Sequence, residues 1–203
     1  PTVPGSYPIT ITATDTVLTG VGAPFSITQD YVINVPTPVI VVGGPSGMST
    51  QAGGTSGFNQ PLTATGGAAP YVFTVSSGSL PAGVTLSGQF IQGVPTAVGN
   101  FPVTITATDR FGQTGTLDIA ITVFPPALTL SPAAGTLSAP YGTSFSQAFT
   151  AGGTIYPFTY TLSGALPTGL SFSGNTITGT PTVPGSYPIT VTATDTVITG
   201  TGA

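Results

Sequence analysis

The sequence predicts an all-β fold of two-layer antiparallel sandwiches arranged in tandem, and three observations carry that prediction. Apolar residues alternate with period two and no stretch shows a helical period; Gly and Pro, 50 of 203 residues, fall between the alternating runs; and a unit of about ninety residues recurs along the chain.

The alternation is strict in "SYPITITATD", with Tyr7, Ile9, Ile11 and Ala13 on one side and Pro8, Thr10, Thr12 and Thr14 on the other, the pattern of a half-buried strand. "FPVTITATD" repeats it with Phe101, Val103, Ile105 and Ala107 inward. In "TLDIAITV" Leu117, Ile119, Ile121 and Val123 face the core; in "PYVFTV" it is Tyr71, Phe73 and Val75, and in "PFTYTL" Phe158, Tyr160 and Leu162. Between these runs stand "GSLPAG", "GVPTAVG", "AGG" and "GTPTVPG", which supply the positive φ or fixed φ that turns require. Pro8, Pro102 and Pro188 fall near strand starts, where a missing N–H is tolerated. Disorder, which so much Gly and Pro would otherwise suggest, is excluded by the pattern.

The repeat is explicit. Residues 80–109 align without gaps on residues 166–195, with 16 of 30 positions identical. "PYVFTVSSGSLP" matches "PFTYTLSGALP" once Ser77 is treated as an insertion, and "DIAITV" (118–123) matches "DYVINV" (30–35). A whole unit is therefore expected over residues 37–125, with residues 1–36 forming the C-terminal part of one unit and residues 126–203 the N-terminal and central part of another. The opening "PTVPGSYPITITATDTVLTGVGA" returns at residues 181–203, 20 of 23 positions identical, which gives a period of 180 residues and two units per period. Separate chains that donated residues 1–36 to a neighbour would set residues 1–23 against residues 181–203 for one strand position. The redundancy is therefore expected to reflect a continuous periodic molecule.

Composition removes most chemistry. The chain has no Cys, His, Lys, Glu or Trp; its five acids are all Asp, Arg110 is its only base, and the net charge is −4. Without His there is no usual general base near neutral pH, without Lys no phosphate-cradling P-loop, and without Cys or His no structural zinc site. One Arg makes no basic face for nucleic acid, and the apolar runs are too short to span a bilayer. A surface of Thr, Ser, Gly and Asn with 3% charged residues has little to keep copies apart. The expected partners are neighbouring copies, end to end and side to side, with glycans as a further class.

The element "LPTGLSFSGNTITGTPTVPGSYPITVTATD", with its L-P-x-G-L, I-x-G-x-P, G-x-Y and T-A-T-D parts, closely resembles the Ig-like domains, related to cadherin-like domains of dystroglycan type, that recur in tandem in large prokaryotic surface proteins. The resemblance implies an immunoglobulin-like Greek-key sandwich, a tandem arrangement and an extracellular or cell-surface setting, and no single activity. The G-x-Y element is similar to a tyrosine corner, which Tyr7 and Tyr187 can build and Phe101 cannot. Related cadherins bind calcium between domains through an Asp that Asp15, Asp109 and Asp195 would match.

Calcium wants six to eight oxygens, including several carboxylates. With no Glu, and only Asp30 and Asp118 beyond those three, the metal is disfavoured and an Asx-type turn is the expected role of each T-A-T-D aspartate. No catalytic or cofactor-binding residue is expected. Asp30 and Asp118 have outward parity and are expected to keep the last strand soluble. Phe111, in a turn, and Phe124, before Pro125, are the candidate exposed contact residues. The function these observations favour is a structural repeat protein, a fibre, sheath or adhesin stalk whose Pro-rich junctions "VPTPVIVV" and "VFPPALTL" stiffen it. The alternative is a carbohydrate- or ligand-binding accessory module of an adhesin or secreted enzyme, contacting glycans through Phe111 or Phe124.

Overall fold

The computed structural model describes residues 2–17, 20–21 and 25–200. Eighteen strands and no helix are found among them, so no helix is long and apolar enough to cross a membrane. Residues 1–36 hold β1 (Gly5–Thr14) and β2 (Ser26–Val35). The middle unit holds β3 (Val41–Gly43), β4 (Gly47–Gln51), β5 (Phe58–Pro61), β6 (Thr63–Thr65), β7 (Val72–Gly78), β8 (Val84–Ser87), β9 (Phe90–Gly93), β10 (Gly99–Thr108) and β11 (Thr114–Phe124). The third unit holds β12 (Thr129–Ser131), β13 (Phe145–Ala148), β14 (Thr150–Gly152), β15 (Phe158–Gly164), β16 (Leu170–Ser173), β17 (Thr176–Gly179) and β18 (Ile189–Asp195).

In the middle unit one sheet runs β4-β11-β10-β7, faced by the three-stranded sheet β5-β9-β8, with β3-β6 closing one end. Inward residues of β10 and β11 (Val103, Ile105, Ile119, Ile121, Val123) interdigitate with Phe58, Leu62, Val84 and Ile91 from the opposite layer. Alternation on each strand thus becomes the two inner faces of one core, as a sandwich requires. The third unit repeats the plan with β12-β14, β13-β17-β16 and β15-β18.

The inserted serine has a structural counterpart. The β10–β7 ladder shifts register between Thr104 and Ile105, where Ser77 and then Val75 are the successive partners. The β18–β15 ladder, one residue shorter in sequence, runs from Gly164 to Phe158 without a break. The extra residue is a β-bulge.

β1 and β2 form a ten-pair antiparallel ladder, from Gly5↔Val35 to Thr14↔Ser26, that matches the β10–β11 ladder from Gly99↔Val123 to Thr108↔Thr114 pair for pair. Its apolar face corrects the sequence expectation. Tyr7, Ile9 and Ile11 have core parity, yet all three are exposed, as are Ile27, Tyr31 and Ile33 on β2. Alternation gives a strand an apolar side; a second layer has to cover it, and none of the described strands lies over this one.

The outward faces are held by neutral or Asp-centred hydrogen bonds. The Thr10 hydroxyl donates to Asp30 and the Thr104 hydroxyl to Asp118, each at 2.7 Å. Thr12 and Thr28 hydroxyls lie 2.9 Å apart, and Thr122 donates to Asn100 at 2.9 Å. Asp30 and Asp118 therefore cap polar rungs.

Candidate functional site

The three T-A-T-D aspartates all end a strand and turn the chain. In Asp15 one carboxylate oxygen accepts the Val17 amide at 2.8 Å. Asp109 accepts the amides of Phe111 (2.8 Å) and Gln113 (2.9 Å) on Oδ1 and that of Ala68 (3.0 Å) on Oδ2. Asp195 accepts the amides of Val197 (2.8 Å) and Ile198 (2.9 Å) on Oδ1 and the Thr154 hydroxyl on Oδ2. Ala68 and Thr154 both lie in the loop that precedes β7 or β15, so each aspartate fastens its own turn to that loop.

Burial raises the pKa of Asp109, but the amide bonds from Gln113, Ala68, Phe111 and Gly112 outweigh it and hold the carboxyl below its usual value. For Asp195 burial likewise raises the value and is outweighed, here by the Thr154 hydroxyl and the Ile198 and Val197 amides. Both carboxylates are thus satisfied as anions by the chain itself. Among the described residues no three His, Cys, Asp or Glu come together.

The turn that Asp195 organises is a clasp between units. Ile198 is 8% exposed and packs into the core of the middle unit with Ala52, Val98 and Tyr156. Thr199 straddles residues 96–98: its amide donates to the Thr96 carbonyl at 2.9 Å and its carbonyl accepts the Val98 amide at 2.8 Å. Across the contact the Ile155 amide donates to the Gly53 carbonyl at 2.9 Å, while the Gly53 amide donates to Pro95 and the Ala52 amide to Phe124. Gly53 is required twice over. Its φ is +64°, and a Cβ there would lie 2.9 Å from Ile198 Cδ1 and 3.1 Å from both Thr154 Cβ and Tyr156 Cδ2.

The clasp also bears on the tyrosine corners. Tyr7 donates to the Val3 carbonyl at 2.8 Å and Tyr187 to the Val183 carbonyl at 3.4 Å. In the middle unit the corresponding residue is Phe101, and the segment it cannot fasten, 96–98, is the one Thr199 holds.

Phe111 and Phe124 are exposed, at 41% and 52%. Arg110 stacks on the Phe111 ring, its guanidinium carbon 4.7 Å from the centroid. The structure does not bring Phe111 and Phe124 together with the clasp residues; the carbonyl of Phe124 is the part that contributes. Sequence reasoning missed Ile198, because in one dimension it reads as a turn residue. The apolar pair Val197-Ile198 in an otherwise polar turn is the signal that was available.

The fold and these junctions define the class: immunoglobulin-like sandwich modules in tandem. The model of the family described as "Putative Ig domain" matches residues 37–124 and again 125–202, and the chain belongs to that family. The chain is 31% identical over 199 residues to the serine-rich adhesin for platelets of Staphylococcus aureus strain MRSA252, covering 95% of this chain and 14% of that protein. The same protein from strain MSSA476 matches at 31%, with 8% of its length covered. The chain thus spans a small part of these relatives. Among solved structures it is similar to Drosophila N-cadherin EC1-4 (12% identity, 94% of this chain and 55% of that chain, TM-score 0.35). A second such structure is the human desmocollin-1 ectodomain (10% identity, 95% and 44%, TM-score 0.37).

Proposed function

We propose that this chain is a load-bearing segment of an extracellular structural repeat protein, a fibre, sheath or adhesin stalk, and that its work is mechanical. The clasp between the middle and third units is the observation that supports this reading most. A module that only presented a ligand site would need a tether, whereas here a buried isoleucine, two backbone bonds to Thr199 and a bond from Ile155 to Gly53 resist pivoting. Kinship with a surface adhesin supports the extracellular setting. The units correspond to residues 37–125 and 126–203, with residues 1–36 the end of another. No enzymatic step and no cofactor is invoked, since the aspartates that a cation would use accept hydrogen bonds from the chain.

Imaging of the native material tests this. Strands rise about 3.3 Å per residue, so each unit spans roughly 35–40 Å and a two-unit period about 70–80 Å. Regular axial density at that spacing is the expected result. Isolated particles without a repeat, together with saturable glycan binding lost on Phe111→Ala or Phe124→Ala, would instead establish the ligand-binding module.

A further inference from the structure

Trypsin-class proteases carry an acidic pocket that takes an Arg or Lys side chain, and they cut the peptide bond that follows it. In this chain that is one bond, between Arg110 and Phe111, because Arg110 is the only base among 203 residues. It stands at the tip of the hairpin between β10 and β11, with Arg110 and Phe111 both exposed. Exposed loop tips are where nicking concentrates, and whether one is cut depends on how its backbone is held.

The backbone here is held throughout. The Asp109 amide donates to the Gln113 carbonyl at 2.9 Å, the Arg110 amide to the Ala68 carbonyl at 3.1 Å and the Gly112 amide to the Asp109 carbonyl at 3.1 Å. The amides of Phe111 and Gln113 donate to Asp109 Oδ1. Every N–H from Asp109 to Gln113 therefore has an acceptor, and the N–H of the scissile bond belongs to the Asp109 carboxylate. The Ala68 amide returns a bond to Asp109 Oδ2, so the tip is tied to the loop before β7 in both directions. Gly112, at φ +83°, closes the turn in the left-handed region, and Asp109 itself is 5% exposed. At a protease the substrate lies as an extended strand bonded through its main chain. Laying out residues 108–113 that way breaks all six of these bonds together and strips a carboxylate of its donors.

The other two T-A-T-D aspartates are followed by threonine, Thr16 and Thr196. The Asp15 amide closes its hairpin on the Phe25 carbonyl with nine residues between, against three between Asp109 and Gln113. The one basic residue is thus found on the shorter of these two hairpins.

We propose that the Asp109 turn is a lock on the only trypsin-class cleavage site of this chain, and that Asp109 is the residue that holds it shut. The lock gives the composition a use. The lack of Lys removes every other such site, and Asp109 closes the one that remains. The inference is independent of the mechanical role, since a stalk and a ligand-binding module are protected alike.

Trypsin digestion of the full 203-residue chain at neutral pH tests it, with the fragments 1–110 and 111–203 read by mass spectrometry. Each rate is divided by that of a synthetic peptide of residues 104–116 carrying the same sequence, which removes the effect of the residue beside the cut. Cleavage of a folded chain follows the population of its opened form, so wild type should be cut at least about a hundredfold more slowly than its peptide. Asp109→Ala should be cut at least about tenfold faster than wild type on the same scale. Ile105→Val loosens the core without touching the turn and is the comparison for destabilisation alone. Asp109→Asn, which keeps one acceptor oxygen, is measured alongside, so that the test does not hang on one variant folding. Wild type cut at a rate like that of its peptide would overturn the proposal. So would Asp109→Ala and Asp109→Asn both being cut no faster than Ile105→Val.

Discussion

One strand sequence occurs three times in this molecule and meets three environments. In β10 Val103, Ile105 and Ala107 are 3%, 0% and 0% exposed; in β18 Ile189, Val191 and Ala193 are half-buried; in β1 Ile9 and Ile11 are 39% and 55% exposed. Local pattern is nearly constant across the three, and so is the antiparallel partner's register where a partner exists. What changes is the number of layers around the strand. Among the described residues β10 has two neighbours and a facing sheet, β18 one neighbour and a facing sheet, and β1 one neighbour and no facing sheet. Thirteen of the sixteen buried apolar side chains among the described residues lie between Ile40 and Val123. Stability in this chain is therefore a property of completed units.

The comparison breaks most visibly by truncating the same position in each copy. Ile105→Ala should lower stability by about 2–5 kcal/mol, the usual cost of emptying a packed site. Val191→Ala should cost less, and Ile11→Ala within about 0.5 kcal/mol, as for an exposed residue. Urea denaturation of the three variants checks the order, and equal effects at Ile105 and Ile11 would refute it.

Next in size is the clasp. Ile198→Ala should cost about 2 kcal/mol or more by cavity formation and separate the unfolding of the middle and third units into two calorimetric transitions. Gly53→Ala should act in the same direction, because a left-handed φ and three close neighbours both oppose a Cβ. A single unchanged transition in both variants would show that the contact couples nothing.

The aspartates sharpen the comparison through pH. Asp109 and Asp195 have folded pKa values below the unfolded value of about 3.9. Their contribution is complete above that value and is lost as pH falls through the folded values. Melting temperature should drop on acidification below about pH 4, and less steeply in Asp109→Asn and Asp195→Asn. The smallest effect belongs to Phe111→Ala, expected within about 0.5 kcal/mol in thermal unfolding because the ring is exposed.

Most of the architecture was legible because sandwich strands write their burial into alternation, and a repeat lets one copy interpret another. Ser77 announced the bulge, and the G-x-Y motif announced the bonds from Tyr7 to Val3 and from Tyr187 to Val183. Two things were not legible. Parity assigns Tyr7 and Ile9 an inward side but cannot say whether a second sheet arrives there. The clasp joins Ile198 to Ala52 across 146 positions of sequence, and nothing in a turn's composition names so distant a socket. The bonds from Asp109 to Ala68 and from Asp195 to Thr154, each 41 residues apart, were hidden for the same reason.

The threonine rungs of the outward faces carry a last consequence. Thr10 with Asp30, Thr104 with Asp118, Thr12 with Thr28 and Thr122 with Asn100 hold strand to strand without a cation, and the one guanidinium is spent on a phenyl ring. Dissolved ions weaken attractions between opposite charges, and here there are almost none to weaken. Such a scaffold should keep its shape from fresh water to brine.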